Sequence, residues 1–320
     1  MRYVVLMLLI LSYCFAGCGK DDPIANPPVK EDTLTKGWSK LTGVPGSMEM
    51  FFVDNQSGFI TGRPLHKTTD GGITWTALSL TVESPGIVNM YFTDATHGWM
   101  VGRSSQGQEN LFRTTNGGAS FTYITFANMY GLGDVQFLDR RRGFIVGRND
   151  FHTSVDSGKT WTSVRGLFQG NALTLFFFDA MNGIVVSDRH IYRTSDGGSS
   201  FEMVQNLPAA NIASTPFGIQ FIDRNIGWVP CLNGVYKTTN GGQTWTFISV
   251  PGDGKDVHFF DQQEGYLLQT KAILKTTDGG NSFSKVLSTP NHTLYELQFN
   301  DKKHGWAVTA AGPLYRYLEQ

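Results

Sequence analysis

One eight-residue word recurs six times along the chain, and it first reads Thr68-Thr69-Asp70-Gly71-Gly72-Ile73-Thr74-Trp75. The later copies centre on Asn116, Asp156, Asp196, Asn240 and Asp278. Each has Ser or Thr two residues before the Asp or Asn and Gly two residues after it. Five residues after it comes an aromatic: Trp75, Phe121, Trp161, Phe201, Trp245 or Phe283. A period in this range specifies a stacked or circular array, because one unit cannot bury its apolar face alone.

A second word runs out of phase with the first. Phe-x-Asp ends a strand-like run at Phe52/Asp54, Phe92/Asp94, Phe137/Asp139, Phe177/Asp179, Phe221/Asp223, Phe259/Asp261 and Phe299/Asp301. A glycine follows each Asp four residues later, and successive Asp spacings are 40, 45, 40, 44, 38 and 40. Seven units of this length predict an all-β, seven-bladed propeller with four-stranded blades. In each unit, strand 1 ends at Phe-x-Asp and strand 2 follows the glycine. Strand 3 leads into the Asp/Asn turn, and strand 4 leaves it. The turn chemistry is local: the Asp or Asn oxygen accepts backbone N–H groups, and glycine accepts positive φ. After Asp301 the chain supplies two more strands and stops. The missing fourth strand is expected from Gly37-Trp38-Ser39-Lys40-Leu41, so that the N-terminal strand completes the last blade and closes the ring.

The N-terminus has a separate organisation. Arg2 precedes an apolar run, Tyr3 to Phe15, too short to span a bilayer and shaped like a secretory signal. It ends in Phe15-Ala16-Gly17-Cys18, which resembles a bacterial lipobox with Phe where Leu is usual. The resemblance implies a signal peptide over 1–17 and lipidation of Cys18. Lys20-Asp21-Asp22 resembles the tag of surface-exported Bacteroidota lipoproteins, which implies an outer-membrane, cell-surface location. Residues 18–36, with Pro23, Pro27 and Pro28 among charges, read as a lipidated tether, and 37–320 as the propeller. Contact with the membrane is expected through the lipid anchor only. Cys14 would leave with the signal, so Cys231 alone remains in the propeller, where it reads as a small buried filler. With 26 Lys and Arg against 27 Asp and Glu, no global field favours nucleic acid.

The first word matches Ser/Thr-x-Asp-x-Gly-x-Thr-Trp and resembles the Asp-box (BNR) repeat of sialidases, sortilin-type receptors and some glucanases. The longer pattern joins Gly98-Trp99-Met100-Val101-Gly102 to Arg113-Thr114-Thr115-Asn116-Gly117-Gly118. A second instance joins Gly227-Trp228-Val229 to Lys237-Thr238-Thr239-Asn240-Gly241-Gly242. This is similar to the photosystem II stability/assembly factor family. That resemblance implies a non-enzymatic propeller that binds a protein partner, a membrane-complex component in that family, and needs no cofactor.

The repeated words occupy one face of such a disc, so Asp70, Asn116, Asp156, Asp196, Asn240 and Asp278 are read as structural. The opposite face carries the strand 2–3 turns and the blade-to-blade loops, where binding residues are expected. There Arg63, Arg103, Arg148 and Arg189 occur in consecutive units, with Phe126, Tyr130 and Phe168 in nearby loops. Guanidinium groups receive carboxylates bidentately, and aromatics form interface anchors, so these seven are the candidate partner-binding residues. Five residues before each Phe-x-Asp aspartate stand Glu49, Asn89, Asp134, Thr174, Gly218, Asp256 and Glu296, which alternation directs into the central channel. The alternative reading is a surface glycan binder or sialidase-like glycoside hydrolase using two of those four carboxylates. Against it, the Phe/Tyr-Arg-Ile-Pro word of sialidases is absent, and no metal-ligating or nucleophile motif appears.

Overall fold

In the computed structural model, residues 31–319 are described, except 63, 81–85, 105, 127–130, 208–217 and 311. Cys18, Arg63 and Tyr130 therefore lie outside the described residues, as do the signal peptide and most of the expected tether. Every regular element among the described residues is a strand. The chain opens with β1 (Thr33–Leu34) and β2 (Trp38–Leu41). One four-stranded antiparallel sheet holds β3 (Met50–Phe52), β4 (Gly58–Ile60), β5 (Leu65–Thr68) and β6 (Thr76–Leu78). The next holds β7 (Gly86–Phe92), β8 (Gly98–Arg103), β9 (Glu109–Thr114) and β10 (Thr122–Phe126). A third contains β11 (Leu132–Phe137), β12 (Gly143–Gly147), β13 (Asp150–Ser154) and β14 (Thr162–Val164). The fourth contains β15 (Ala172–Phe177), β16 (Gly183–Ser187), β17 (His190–Thr194) and β18 (Glu202–Asn206).

The following strands are β19 (Gln220–Phe221), β20 (Gly227–Thr238), β21 (Thr246–Phe259), β22 (Gly265–Gln269), β23 (Ala272–Thr276) and β24 (Ser284–Ser288). Last come β25 (Leu294–Asp301), β26 (His304–Thr309) and β27 (Leu314–Leu318), which with β2 make the fifth four-stranded sheet. β2 pairs with β27 from Trp38↔Tyr317 to Leu41↔Leu314.

The molecule is an all-β propeller, but the expectation of seven four-stranded blades is corrected. Five blades have four strands, and β19 to β24 with β1 form a single seven-stranded sheet. Two long extended segments carry the pairing through expected breaks: β20 through the strand 2–3 turn of one repeat, and β21 through the boundary between that repeat and the next. Leu232 pairs with Asp253 across them. Gly254 permits this approach: a Cβ there would stand 2.7 Å from the Cys231 carbonyl oxygen and 3.0 Å from that of Gly234. β1 then adds to β24 (Thr33↔Ser288, Leu34↔Leu287), so the sheet begins inside the stretch 18–36 that reads as tether.

Burial is greatest on the second strand of each repeat. Gly143–Gly147 and Gly183–Ser187 are buried at every position, whereas Thr122–Phe126 is largely exposed. A strand covered on both faces needs a continuous apolar run, which Trp99-Met100-Val101 and Phe144-Ile145-Val146 supply.

Neighbouring repeats are joined through the Phe of Phe-x-Asp. In all seven repeats its ring lies on the glycine that opens the next strand. A Cβ at Gly58, Gly98, Gly143, Gly183, Gly227, Gly265 or Gly305 would meet that ring at 2.3–2.6 Å. These glycines are required for space, not for positive φ. The ring's other contact is an aromatic from the preceding repeat. Trp99 stacks on Phe137 with centroids 3.7 Å apart, Phe144 on Phe177 at 3.8 Å, Trp228 on Phe259 at 3.8 Å, and Trp306 on Phe52 at 3.8 Å. Phe59–Phe92 and Tyr266–Phe299 are looser stacks at 4.5 and 4.6 Å, and Ile184 takes the aromatic's place beside Phe221. Such contacts each add about 0.5–1.5 kcal/mol beyond area burial.

Gly143→Ala should therefore lower unfolding stability by about 1–3 kcal/mol through overpacking. In the Phe137→Leu background the same change should cost much less, measured by denaturant titration of the four proteins. Simple additivity would show that the ring is not what the glycine accommodates.

Candidate functional site

The six Asp/Asn turns are closed local networks. Thr68 Oγ1 donates to Asp70 Oδ1 (2.8 Å) and accepts from Gly72 N (3.0 Å). Asp70 also accepts from Thr74 N at 2.9 Å and Thr74 Oγ1 at 2.5 Å. The Asp156, Asp196 and Asp278 turns repeat this with Thr160, Ser200 and Ser282. Asn116 and Asn240 keep the accepting oxygen and donate their amide to Ser120 and Thr244 instead. The Ser/Thr hydroxyl bonds hold Asp70, Asp156, Asp196 and Asp278 at about 2, below the ordinary carboxylate range. Their lone pairs are committed within the turn, so these residues hold hairpins.

On the opposite rim the strand 2–3 turns are hydrogen-bonded to the loops that follow. Arg103 is committed inward: its Nε and Nη2 reach the Glu109 carboxylate at 2.9 and 2.5 Å. Glu109 is 2% exposed and also accepts from Gly131 N. Gly131 O in turn accepts from Arg148 N, and Arg148 O accepts from Ala172 N. The loop between Leu167 and Asn171 is tied on one side by Leu167 N to Asn149 O (3.0 Å). On the other it is tied by Asp188 N to Asn171 O (3.0 Å). The turns bearing Arg148 and Arg189 thus grip one loop from two sides. Both arginines are exposed. Beside Arg189 lies an open cavity of about 580 Å³ lined by Gln169, Gly170, Asn171, Asp188, His190 and Leu207.

The aromatics divide. Phe126 is half-buried, edge-on to Trp161 at 6.3 Å. Phe168 is 6% exposed and packed against Tyr192 and Phe201, so its place is in the core. Cys231 is likewise buried, its thiol pushed up to about 12 by desolvation.

The channel, about 540 Å³, is lined by the first strands of the repeats and contains Glu49, Asn89, Asp134, Thr174, Gly218, Asp256 and Glu296. Residues here bond the backbone of the next repeat's first strand. Asp134 Oδ2 accepts from Thr174 Oγ1 (2.8 Å) and Leu175 N (2.9 Å), and Asp256 Oδ2 accepts from Leu297 N (3.0 Å). Glu296 accepts from Met50 N. Two residues farther along, Gln136, Gln220 and Gln298 each accept from and donate to one backbone position: Phe177, Phe259 and Phe52. All three stand three residues before the Asp of Phe-x-Asp, a periodicity visible in the sequence that composition-based reading passes over. Desolvation raises Asp134 and Asp256 to about 6. It also raises Glu49 and Glu296 well above the ordinary carboxylate range, with repulsion from the other channel carboxylates added. No cluster among the described residues has metal-binding geometry.

A family model described as photosynthesis system II assembly factor YCF48 matches residues 124–253. No curated protein matches the sequence. Among solved structures, a YCF48 bound to a D1 peptide is 19% identical with a TM-score of 0.73, over 89% of this chain and 98% of that one. YCF48 from Cyanidioschyzon merolae is 17% identical (TM-score 0.70; 88% and 98%). The GH74 enzyme of Niastella koreensis is 16% identical with a TM-score of 0.69, over 88% of this chain but 53% of the enzyme.

Asp156→Asn should fold with little loss at neutral pH, as Asn116 and Asn240 already do, whereas Asp156→Ala should lower Tm by several degrees. Because the folded-state value is depressed, the Asp contributes stability above about pH 4 that disappears as pH falls toward 2. The Tm gap between wild type and Asp156→Ala should therefore close over that interval in a thermal-melt series.

Proposed function

We propose that this photosystem II assembly factor-like propeller is a non-enzymatic scaffold that captures an acidic segment of a protein partner through Arg148 and Arg189. The observation that carries the reading is their placement: two exposed guanidinium groups on adjacent turns that grip one loop, beside a cavity open to solvent. Guanidinium forks select carboxylates by paired, charge-assisted hydrogen bonds. The likeness to YCF48 in complex with a D1 peptide supports a peptide as the ligand class. Arg103 serves the same rim by holding Glu109 and, through it, Gly131; Phe126 supplies apolar surface beside the rim. Phe168 is left out because it is buried.

The channel carboxylates do not favour the hydrolase alternative. Asp134, Asp256 and Glu296 accept backbone N–H groups that strand closure needs, which leaves Glu49 as the one without a hydrogen-bond partner among the described residues. The GH74 likeness keeps glycan as the competing ligand class. In our reading the propeller is exported and held at the outer membrane by acylated Cys18, with the residues after it as a spacer. Loss of membrane fractionation in Cys18→Ala would be the expected result.

Immobilised wild-type protein should retain peptides ending in an acidic segment, while Arg148→Ala and Arg189→Ala each weaken retention about tenfold, the scale of one charged hydrogen-bonding group. Melting temperatures should stay within a degree or two of wild type, since both side chains are exposed. Undiminished retention in the double variant, or binding of xyloglucan in its place, would overturn the assignment.

A further inference from the structure

The channel's first-level ring is not evenly charged. Taken in chain order it reads Glu49, Asn89, Asp134, Thr174, Gly218, Asp256 and Glu296. Asp134 lies between uncharged neighbours and receives a hydrogen bond from Thr174. Asp256, Glu296 and Glu49 are consecutive around the ring, across the junction where the last repeat meets the first. At that junction β25 is joined to β3 by Met50 N to Glu296 and by the paired amide bonds of Gln298 with Phe52. Glu49, the residue preceding Met50, therefore sets a second carboxylate beside the acceptor of its neighbour's N–H.

Among the described residues, these titratable groups face this point. Asp134 comes from β11 and Tyr91 from β7, Asp256 and His258 from β21, and Tyr295 from β25. The charges acting on Glu49 are Asp134 and Asp256; those on Glu296 are Glu49, Asp256 and Asp134. Lys255, next to Asp256, turns its ammonium to the Leu294 carbonyl (3.3 Å) and over the Tyr295 ring (4.7 Å). His258 is held at about 4 by burial, so it brings no compensating charge at neutral pH.

We propose that the β25–β3 seam is a pH-responsive joint of the ring, tight while the Glu49–Glu296–Asp256 cluster keeps its protons and loosened when the cluster ionises. The sign follows from the geometry. Folded-state values raised by burial and mutual repulsion favour the closed seam at low pH, and that contribution falls away as pH rises from about 4 through the folded-state range. Loosening is confined to the two seams that oppose carboxylates, β25–β3 and the adjoining β21–β25, where Asp256 accepts from Leu297 N beside Glu296; the interfaces made by Gln220 and Gln136 lack such a pair. The Gln220–Phe259 bonds face Gly218, and the Gln136–Phe177 bonds sit beside Thr174.

Hydrogen exchange on the full chain tests this, with protection factors corrected for the intrinsic pH dependence of exchange. Between pH 5 and pH 8, protection of the Met50 and Phe52 amides should fall about tenfold or more, since each unit of displaced titration is a factor of ten. Protection of Phe259 should stay within about twofold. Glu49→Gln removes a charge without removing a hydrogen bond, so it should fold normally and flatten the Met50 and Phe52 response. Constant protection at Met50, an equal fall at Phe259, or an undiminished response in Glu49→Gln would each overturn the proposal. Glu49→Ala, which changes volume as well as charge, should flatten the response to the same degree; retention of the response there would also count against it.

Discussion

The fold depends on a phenylalanine ring held between two repeats. On one side the ring presses on a glycine of its own repeat; on the other, in six of the seven repeats, it meets a flat side chain from the repeat before it. That geometry sets both spacings at once. Without the glycine the ring cannot lie down, and without the ring the buried second strand loses the cover that its unbroken apolar sequence requires. Because Phe52 stacks on Trp306, the same contact that joins successive repeats also joins the end of the chain to its beginning. Closure thus uses the ordinary inter-repeat interaction and is reinforced by the pairing of β2 with β27.

The inner edge poses a different problem. First strands line a central channel, and the amides and carbonyls along their free edges need partners. Side chains supply them: a glutamine imitates a peptide group by accepting and donating at one position, and a carboxylate accepts a backbone N–H of the next repeat. The polar channel that reads from sequence as a possible reaction chamber is, in large part, the means by which strand edges are satisfied.

Much of this was legible in the residues. The repeat words located every Phe–Gly pair and the Asp/Asn turns, and simple alternation placed the seven channel residues on the correct wall. What escaped was whatever depends on contacts between turns. The fusion of β19–β24 into one sheet involves close backbone approach at Gly254, and β1 joins it by pairing with β24; no local pattern encodes either contact. Arg103 looked equivalent to Arg148 and Arg189 until Glu109, six residues on, proved to hold it. Phe168 has the composition of an exposed anchor and the surroundings of a core residue. The sequence distance between Glu109 and Gly131 explains why such a linkage is hard to foresee: its partners are neighbours only after two sheets have formed.

The seven-stranded sheet has an implication for mechanical behaviour. A disc whose sectors touch only through side chains can yield one sector at a time, whereas sectors sharing a continuous ladder must give way together. β1 lies at the outer margin of that shared ladder, on the path by which any load applied to the leading segment would enter the disc. Tension there would act along the shear direction of Thr33 and Leu34 against β24, so the broadest sheet is also the one that would take up that load.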